Sequence, residues 1–104
     1  MNTLYIDTRD NKKNIIRLTK DSEDFVETTD VIQMRADSIL LLIQRVMERA
    51  GLTLQNLDKI YCEKGPGSFT GLRVGFSIAN TLSLALSIPL NDNKVGTIDT
   101  PVYS

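Results

Sequence analysis

The sequence predicts an α/β fold: one domain built on a mixed sheet with helices on its faces. Three observations carry this. Residues 4–29 read as short strands separated by polar turns, and the segments after them alternate between helical and extended patterns. The junction before the last helix is a glycine-rich block, Gly65-Pro66-Gly67-Ser68-Phe69-Thr70-Gly71-Leu72-Arg73-Val74-Gly75. At 104 residues the chain is long enough for a single domain with its own core.

Leu4-Tyr5-Ile6-Asp7-Thr8 reads as the first strand, Arg9 to Lys13 as a polar turn, and Asn14 to Leu18 as the second strand, which together make a hairpin. Phe25 to Thr29 is a weaker third strand after the turn from Thr19 to Asp24. Ile32, Ala36, Ile39, Ile43, Val46 or Met47, and Ala50 recur at helical spacing, so the first helix is expected over Gln33 to Ala50, with Gly51 as its C-terminal stop. The run Ile39 to Ile43 is wider than the apolar stripe one packing face needs. Either this helix is deeply buried or its outer side meets another protein. Leu52 to Leu57 links to a fourth strand, Asp58 to Glu63, with Thr53 able to cap a short turn. A second helix is expected from Gly71 to Ser87 and is ended by Pro89. Val95 to Ile98 reads as a last strand. Three strands, helix, strand, helix and strand, joined by a right-handed crossover, is the pattern of the ribonuclease H-like fold, which the actin-like ATPases duplicate.

The glycine block excludes two familiar phosphate loops. A Walker A loop requires Lys-Ser or Lys-Thr after its second glycine, and here Gly71 is followed by Leu72 and Arg73. In the dinucleotide fingerprint Gly65 and Gly67 fit, but Thr70 stands at the third glycine position. Ser68 and Thr70 are both suited to cap the helix that follows. A helix start lined by glycines can cradle an anion.

Composition narrows the function further. A net charge of −1 argues against a general electrostatic grip on nucleic acid. The sequence has no histidine, which removes Ser-His-Asp and Cys-His nucleophilic sites and every histidine-based metal site. Cys62, the single cysteine, lies in an apolar strand and reads as a buried hydrophobe. Val74 to Asn91 carries no charge, yet Ser77, Asn80, Thr81, Ser83 and Ser87 interrupt it, so a helix buried in protein is expected rather than a membrane span. With no signal-peptide pattern, a cytoplasmic location is the default expectation.

The undecapeptide from Gly65 to Gly75 resembles the signature of the TsaB (YeaZ) family, which takes part in threonylcarbamoyladenosine modification of tRNA. Leu4-Tyr5-Ile6-Asp7-Thr8 is similar to the family's opening strand, Ala50-Gly51-Leu52-Thr53 with Leu57-Asp58 to its helix-to-strand link, and Ala85 to Leu90 to the stretch that follows its second helix. The resemblance implies an N-terminal-like domain over residues 1–104, without the second domain of comparable size that family members carry. It implies a non-catalytic scaffold that pairs with a catalytic TsaD-like subunit, is joined by a TsaE-like ATPase, and meets tRNA only through the complex. No catalytic residue and no metal ligand is expected. ATP or ADP with Mg²⁺ would be bound only in the assembled complex, because a nucleotide in this superfold sits between two such domains.

The residues expected to shape the loop and face a phosphate are Asp7, Thr8, Gly65, Gly67, Ser68, Thr70, Gly71 and Arg73. The partner surface is expected at Ile39, Leu42, Ile43 and Val46 on the first helix, and at Gly75, Phe76, Ala79, Leu82, Ser83 and Leu86 on the second. Small residues recur every four positions at Gly75, Ala79, Ser83 and Ser87, a spacing that would let a partner helix approach closely. Two alternatives belong to other classes. One is a homodimeric interaction module. The other is a Mg²⁺-dependent nuclease of the ribonuclease H type, using Asp7, Asp37 and Glu63, which fall in the order that chemistry requires.

Overall fold

The computed structural model describes residues 1–10, 12–30 and 36–102. Strands β1 (Asn2–Asp10), β2 (Lys13–Lys20) and β3 (Glu23–Asp30) form an antiparallel meander. Helix α1 (Ala36–Ala50) and a 3-10 turn (Leu54–Asn56) lead to β4 (Lys59–Cys62), which pairs parallel to β1, and α2 (Phe69–Leu86) follows. The sheet order is β3-β2-β1-β4. The expected start of the first helix, Gln33, and Ile32 before it lie outside the described residues.

Alternation along the strands decides which side chains make the core. Leu4, Ile6, Ile16, Leu18, Ile60 and Cys62 share one face of the sheet and are almost fully buried. Both helices close that face, joining Ile39, Leu42, Ile43, Val46, Phe76 and Ala79 to the same core. The expected mixed sheet covered by helices is present, with both helices packed on this one face. The crossover through α1 and the return through α2 run the same way across the sheet, so both helices fall on one side. Tyr5, Arg17, Val26 and Tyr61, neighbours in register, occupy the opposite, more open face.

Helix α1 ends at Gly51, whose φ of 69° suits a glycine stop. The 3-10 turn is fixed by the Thr53 amide, which donates to Asn56 Oδ1 at 2.9 Å. Helix α2 ends in Ser87 at φ 55°, two residues before Pro89. The expected strand at Val95–Ile98 does not form. Leu90 instead makes a single parallel bridge to Ile60, and the chain then turns away, leaving Val95 and Ile98 exposed. Among the described residues, no helix is long and apolar enough to cross a membrane.

Candidate functional site

The end of β1 and the glycine block form one joint. Ser68 donates its amide to the Arg9 carbonyl at 2.7 Å, and the buried Thr8 hydroxyl donates to the Gly71 carbonyl at 2.7 Å. Ser68, not Thr70, is the N-cap of α2, with Oγ accepting from the Gly71 amide at 3.2 Å. The Leu72 amide donates to the Ser68 carbonyl at 2.9 Å. The amides of Ser68, Gly71 and Leu72 are thus engaged within the fold.

Close approach explains the glycines. A Cβ on Gly67 would lie 2.7 Å from the Arg9 carbonyl oxygen and 2.9 Å from its Cα. A Cβ on Gly75 would overlap the Thr8 hydroxyl. Gly65 has φ 104°, a region closed to other residues, and its peptide with Pro66 is cis. The expected phosphate-facing set is accordingly divided. Thr8, Gly67, Ser68, Gly71 and Gly75 seat α2 against β1. Thr70 and Arg73 are exposed, and with Ala36, Val74 and Ser77 they line an open groove of about 280 Å³. The Arg73 guanidinium lies 5.4 Å from the Phe69 ring centroid.

Asp7 points to the other side of the sheet, into a polar cluster. Its Oδ1 accepts from the Arg9 amide at 3.1 Å and from Arg9 Nε at 3.0 Å, and its Oδ2 accepts from Arg9 Nη2 at 3.0 Å. Arg9 Nη1 also pairs with Glu63 at 3.4 Å, and the Tyr5 hydroxyl donates to Glu63 Oε1 at 3.0 Å. Burial works to raise the Asp7 pKa, but the hydrogen bonds and charge of Arg9 overcome it, and the carboxyl stays below its ordinary value. Tyr5 is pushed up to about 12, first by burial and then by the charge of Asp7 and its bond to Glu63. Arg9 is raised by its bonds to Asp7.

This cluster corrects the nuclease alternative. Asp7 and Glu63 do come together, but a guanidinium lies between them. Asp37 sits exposed in the first turn of α1. Among the described residues, no group of three His, Cys, Asp or Glu side chains is placed to hold a metal ion.

The expected partner surface is corrected as well. Ile39, Leu42, Ile43, Val46, Phe76 and Ala79 are core residues, each at most 3% exposed. Gly75 is buried against Thr8, and Ser83 is buried with its hydroxyl donating to the Ile88 carbonyl at 2.6 Å. Of the small-residue stripe, Gly75 is where β1 approaches closely. Leu82 and Leu86 are half-buried. Large apolar residues of the two helices that face outward are Leu40 (48% exposed) and Leu41 (45%) on α1, and Phe69 (57%) and Leu84 (48%) on α2. The signal for them was helical phase: Ile39, Leu42, Ile43 and Val46 share one stripe, and Leu40 and Leu41 fall off it. The Tyr5–Arg9–Glu63 cluster was also missed, because its members lie far apart in sequence.

A family model described as TsaD, tRNA N6-adenosine threonylcarbamoyltransferase, matches residues 31–92. A tRNA threonylcarbamoyladenosine biosynthesis protein TsaB from Buchnera aphidicola is 46% identical over 52 residues, which is 50% of this chain and 25% of that protein. The TsaB protein of Bacillus subtilis is 31% identical over 91 residues, 88% of this chain and 40% of that protein. The solved structure of YeaZ from Pseudomonas aeruginosa superposes with a TM-score of 0.80 at 24% identity, covering 86% of this chain and 43% of that one. The match to the two curated relatives thus spans 25% and 40% of their length. With the family model covering more than half of the chain and the meander, helices and joint all in place, this chain belongs to the TsaD-related family, among its TsaB (YeaZ) members.

Proposed function

We propose that this chain acts in the formation of threonylcarbamoyladenosine on tRNA, as a non-catalytic subunit that docks a TsaD-like catalytic subunit through the outer strip of α1 and α2. The names of its relatives support the pathway. The observation that carries the docking surface is the exposure of Leu40 and Leu41 on α1. Beside them lies an apolar groove of about 260 Å³, lined in part by Leu40, Met47, Leu52, Leu54 and Leu82. Exposed apolar patches of this kind mark interaction sites. Covering them contributes about 25 cal/mol per Å² before the costs of association. In this reading a TsaE-like ATPase joins the pair, tRNA is met through the assembly, and ATP or ADP with Mg²⁺ binds only there, in the cytoplasm. Without the catalytic subunit, the same strip pairs with a second copy of this chain.

Co-expression with the TsaD-like protein of the same genome tests the proposal. The two should co-elute, Leu41→Glu should abolish co-elution, and nucleoside analysis should show less threonylcarbamoyladenosine in tRNA when the gene is deleted. Failure to co-elute, together with unchanged modification after deletion, would overturn it. Sedimentation of the isolated chain, with and without Leu41→Glu, tests the self-pairing.

A further inference from the structure

Two hollows lie along the seam between α1 and α2, and they differ in character. The first, of about 280 Å³, is lined by Ala36 of α1 and by Thr70, Arg73, Val74 and Ser77 of α2. The second, of about 260 Å³, has Ile43, Met47 and Leu82 among its apolar walls and the exposed Gln44 and Glu48 on its rim. Leu40 lines the second and stands one turn after Ala36. The numbering rises in the same sense on both sides, from Ala36 to Gln44 on α1 and from Val74 to Leu82 on α2. The helices therefore run the same way along one groove, and at 1.5 Å per residue its two hollows stand about 12 Å apart.

Opposite charges mark the two ends. Arg73 is the only charged residue of α2. Its guanidinium lies 5.4 Å from the Phe69 ring centroid, a contact that uses the flat face and not the N–H donors. Among the described residues Arg73 has no carboxylate partner. It stands near the N-terminal end of α2, where the helix dipole favours an anion over a cation, so the helix gains nothing from this charge. At the other end Glu48 accepts from Gln44 Nε2 at 3.1 Å and has no cation partner among the described residues.

A cation, an apolar hollow and a carboxylate in line specify an occupant. A helix returns a side chain to the same stripe after seven or eight residues, which cover about 10–12 Å. Laid in the groove, such a helix brings a carboxylate at position i to Arg73 and a large apolar side chain at i+7 or i+8 to the second hollow. One turn further, near i+11, a cation meets Glu48. Docking of this kind reads anchors along one face of one helix. We propose that the seam between α1 and α2 receives one amphipathic helix of the partner subunit, recognised by its carboxylate at Arg73, its apolar anchor at Leu82 and its cation at Glu48. This rests on the docking reading above and names the chemistry of the partner at that surface.

The test measures the dissociation constant of the full chain for the TsaD-like protein of the same genome, at low and at high salt. Arg73→Glu and Glu48→Lys should each weaken binding by about tenfold or more at low salt, and the loss should shrink at high salt. The thermal midpoint of Arg73→Glu should stay close to the parent's, because an exposed acid suits that end of α2. Reversing the exposed Asp and Glu residues of the TsaD-like protein's helices to Lys, one at a time, should yield one variant that restores binding to Arg73→Glu. Arg73→Glu binding as tightly as the parent, while Leu41→Glu abolishes binding, would leave the docking reading standing and overturn this inference. So would the absence of any rescuing reversal. A change in the self-association of the isolated Arg73→Glu chain, with partner binding unaltered, would assign the groove to a second copy and overturn it too. A parent chain that never binds the TsaD-like protein overturns the docking reading itself, and this inference with it.

Discussion

Thr8 and Gly75 are in direct contact: the Thr8 hydroxyl occupies the space into which any side chain at Gly75 would project, while it donates to the Gly71 carbonyl at 2.7 Å. The glycine block therefore acts as a seat for α2 on β1, and this is where its substitutions should be felt.

Gly75→Ala is expected to destabilise the fold by about 1–3 kcal/mol through overpacking against Thr8. Thr8→Ala alone should cost about 1 kcal/mol for the lost hydrogen bond. Because the two residues touch, the double variant should be less destabilised than the sum of the single ones, and denaturant midpoints of the four chains measure the coupling. Strict additivity would mean that the contact is not made.

Ser68→Ala removes the side-chain cap of α2 and should cost about 0.5–2 kcal/mol, whereas Thr70→Ala, at an exposed position outside the cap, should fall within about 0.5 kcal/mol of the parent. Thermal unfolding of both variants distinguishes the two hydroxyls. Equal losses would place the cap wrongly.

Stability should fall in acid. The carboxyls of Asp7 and Asp99 are both held below their ordinary value of 3.8, in each case against the opposing effect of burial. Hydrogen bonds from Arg9 lower the first, and those from Asn91, Thr100 and Lys64 lower the second. A group depressed in the folded state adds stability that is complete above its unfolded value and is lost as pH falls through the folded one. Unfolding midpoints should therefore decline below about pH 4, and Asp7→Asn should lessen the decline. On the alkaline side Tyr5 is raised to about 12, so its contribution disappears as pH rises from 10 toward 12. Absorbance titration should show the Tyr5 phenol ionising last, unless the chain unfolds first.

Cys62 should resist thiol reagents in the native chain. Burial, followed by the charges of Asp7 and Glu63, raises its pKa, and the side chain is 1% exposed. The labelling rate should track unfolding across a denaturant series. Fast labelling in buffer would contradict the core placement.

The strands were legible because alternation is a local signal: Leu4, Ile6, Ile16 and Leu18 could only line one face of a meander. Helix existence was equally legible from the stripe through Ile39, Ile43 and Ala50. Burial was misjudged, because solid apolar runs conceal phase. Ile39 and Leu42 go inward while Leu40 and Leu41 go outward, and only the assembled sheet separates them. Val95–Ile98 has strand composition, but the left-handed turn at Asn91 and Asp92 removes it from the sheet, a backbone choice that propensity does not encode. The meeting of Arg9 with Glu63, and of Asn91 with Cys62, depends on parallel pairing across long separations and left no local trace.

The joint between Thr8 and Gly71 also bears on how the chain reaches its native form. The two residues are 63 positions apart, whereas the meander turns join strands two residues apart in sequence. Closing so long a loop costs chain entropy that nearby pairings avoid. The hairpins are therefore expected to assemble early, with the docking of α2 onto β1 as a late step. Changes at the seat would then act mainly on the unfolding rate and leave the folding rate nearly untouched.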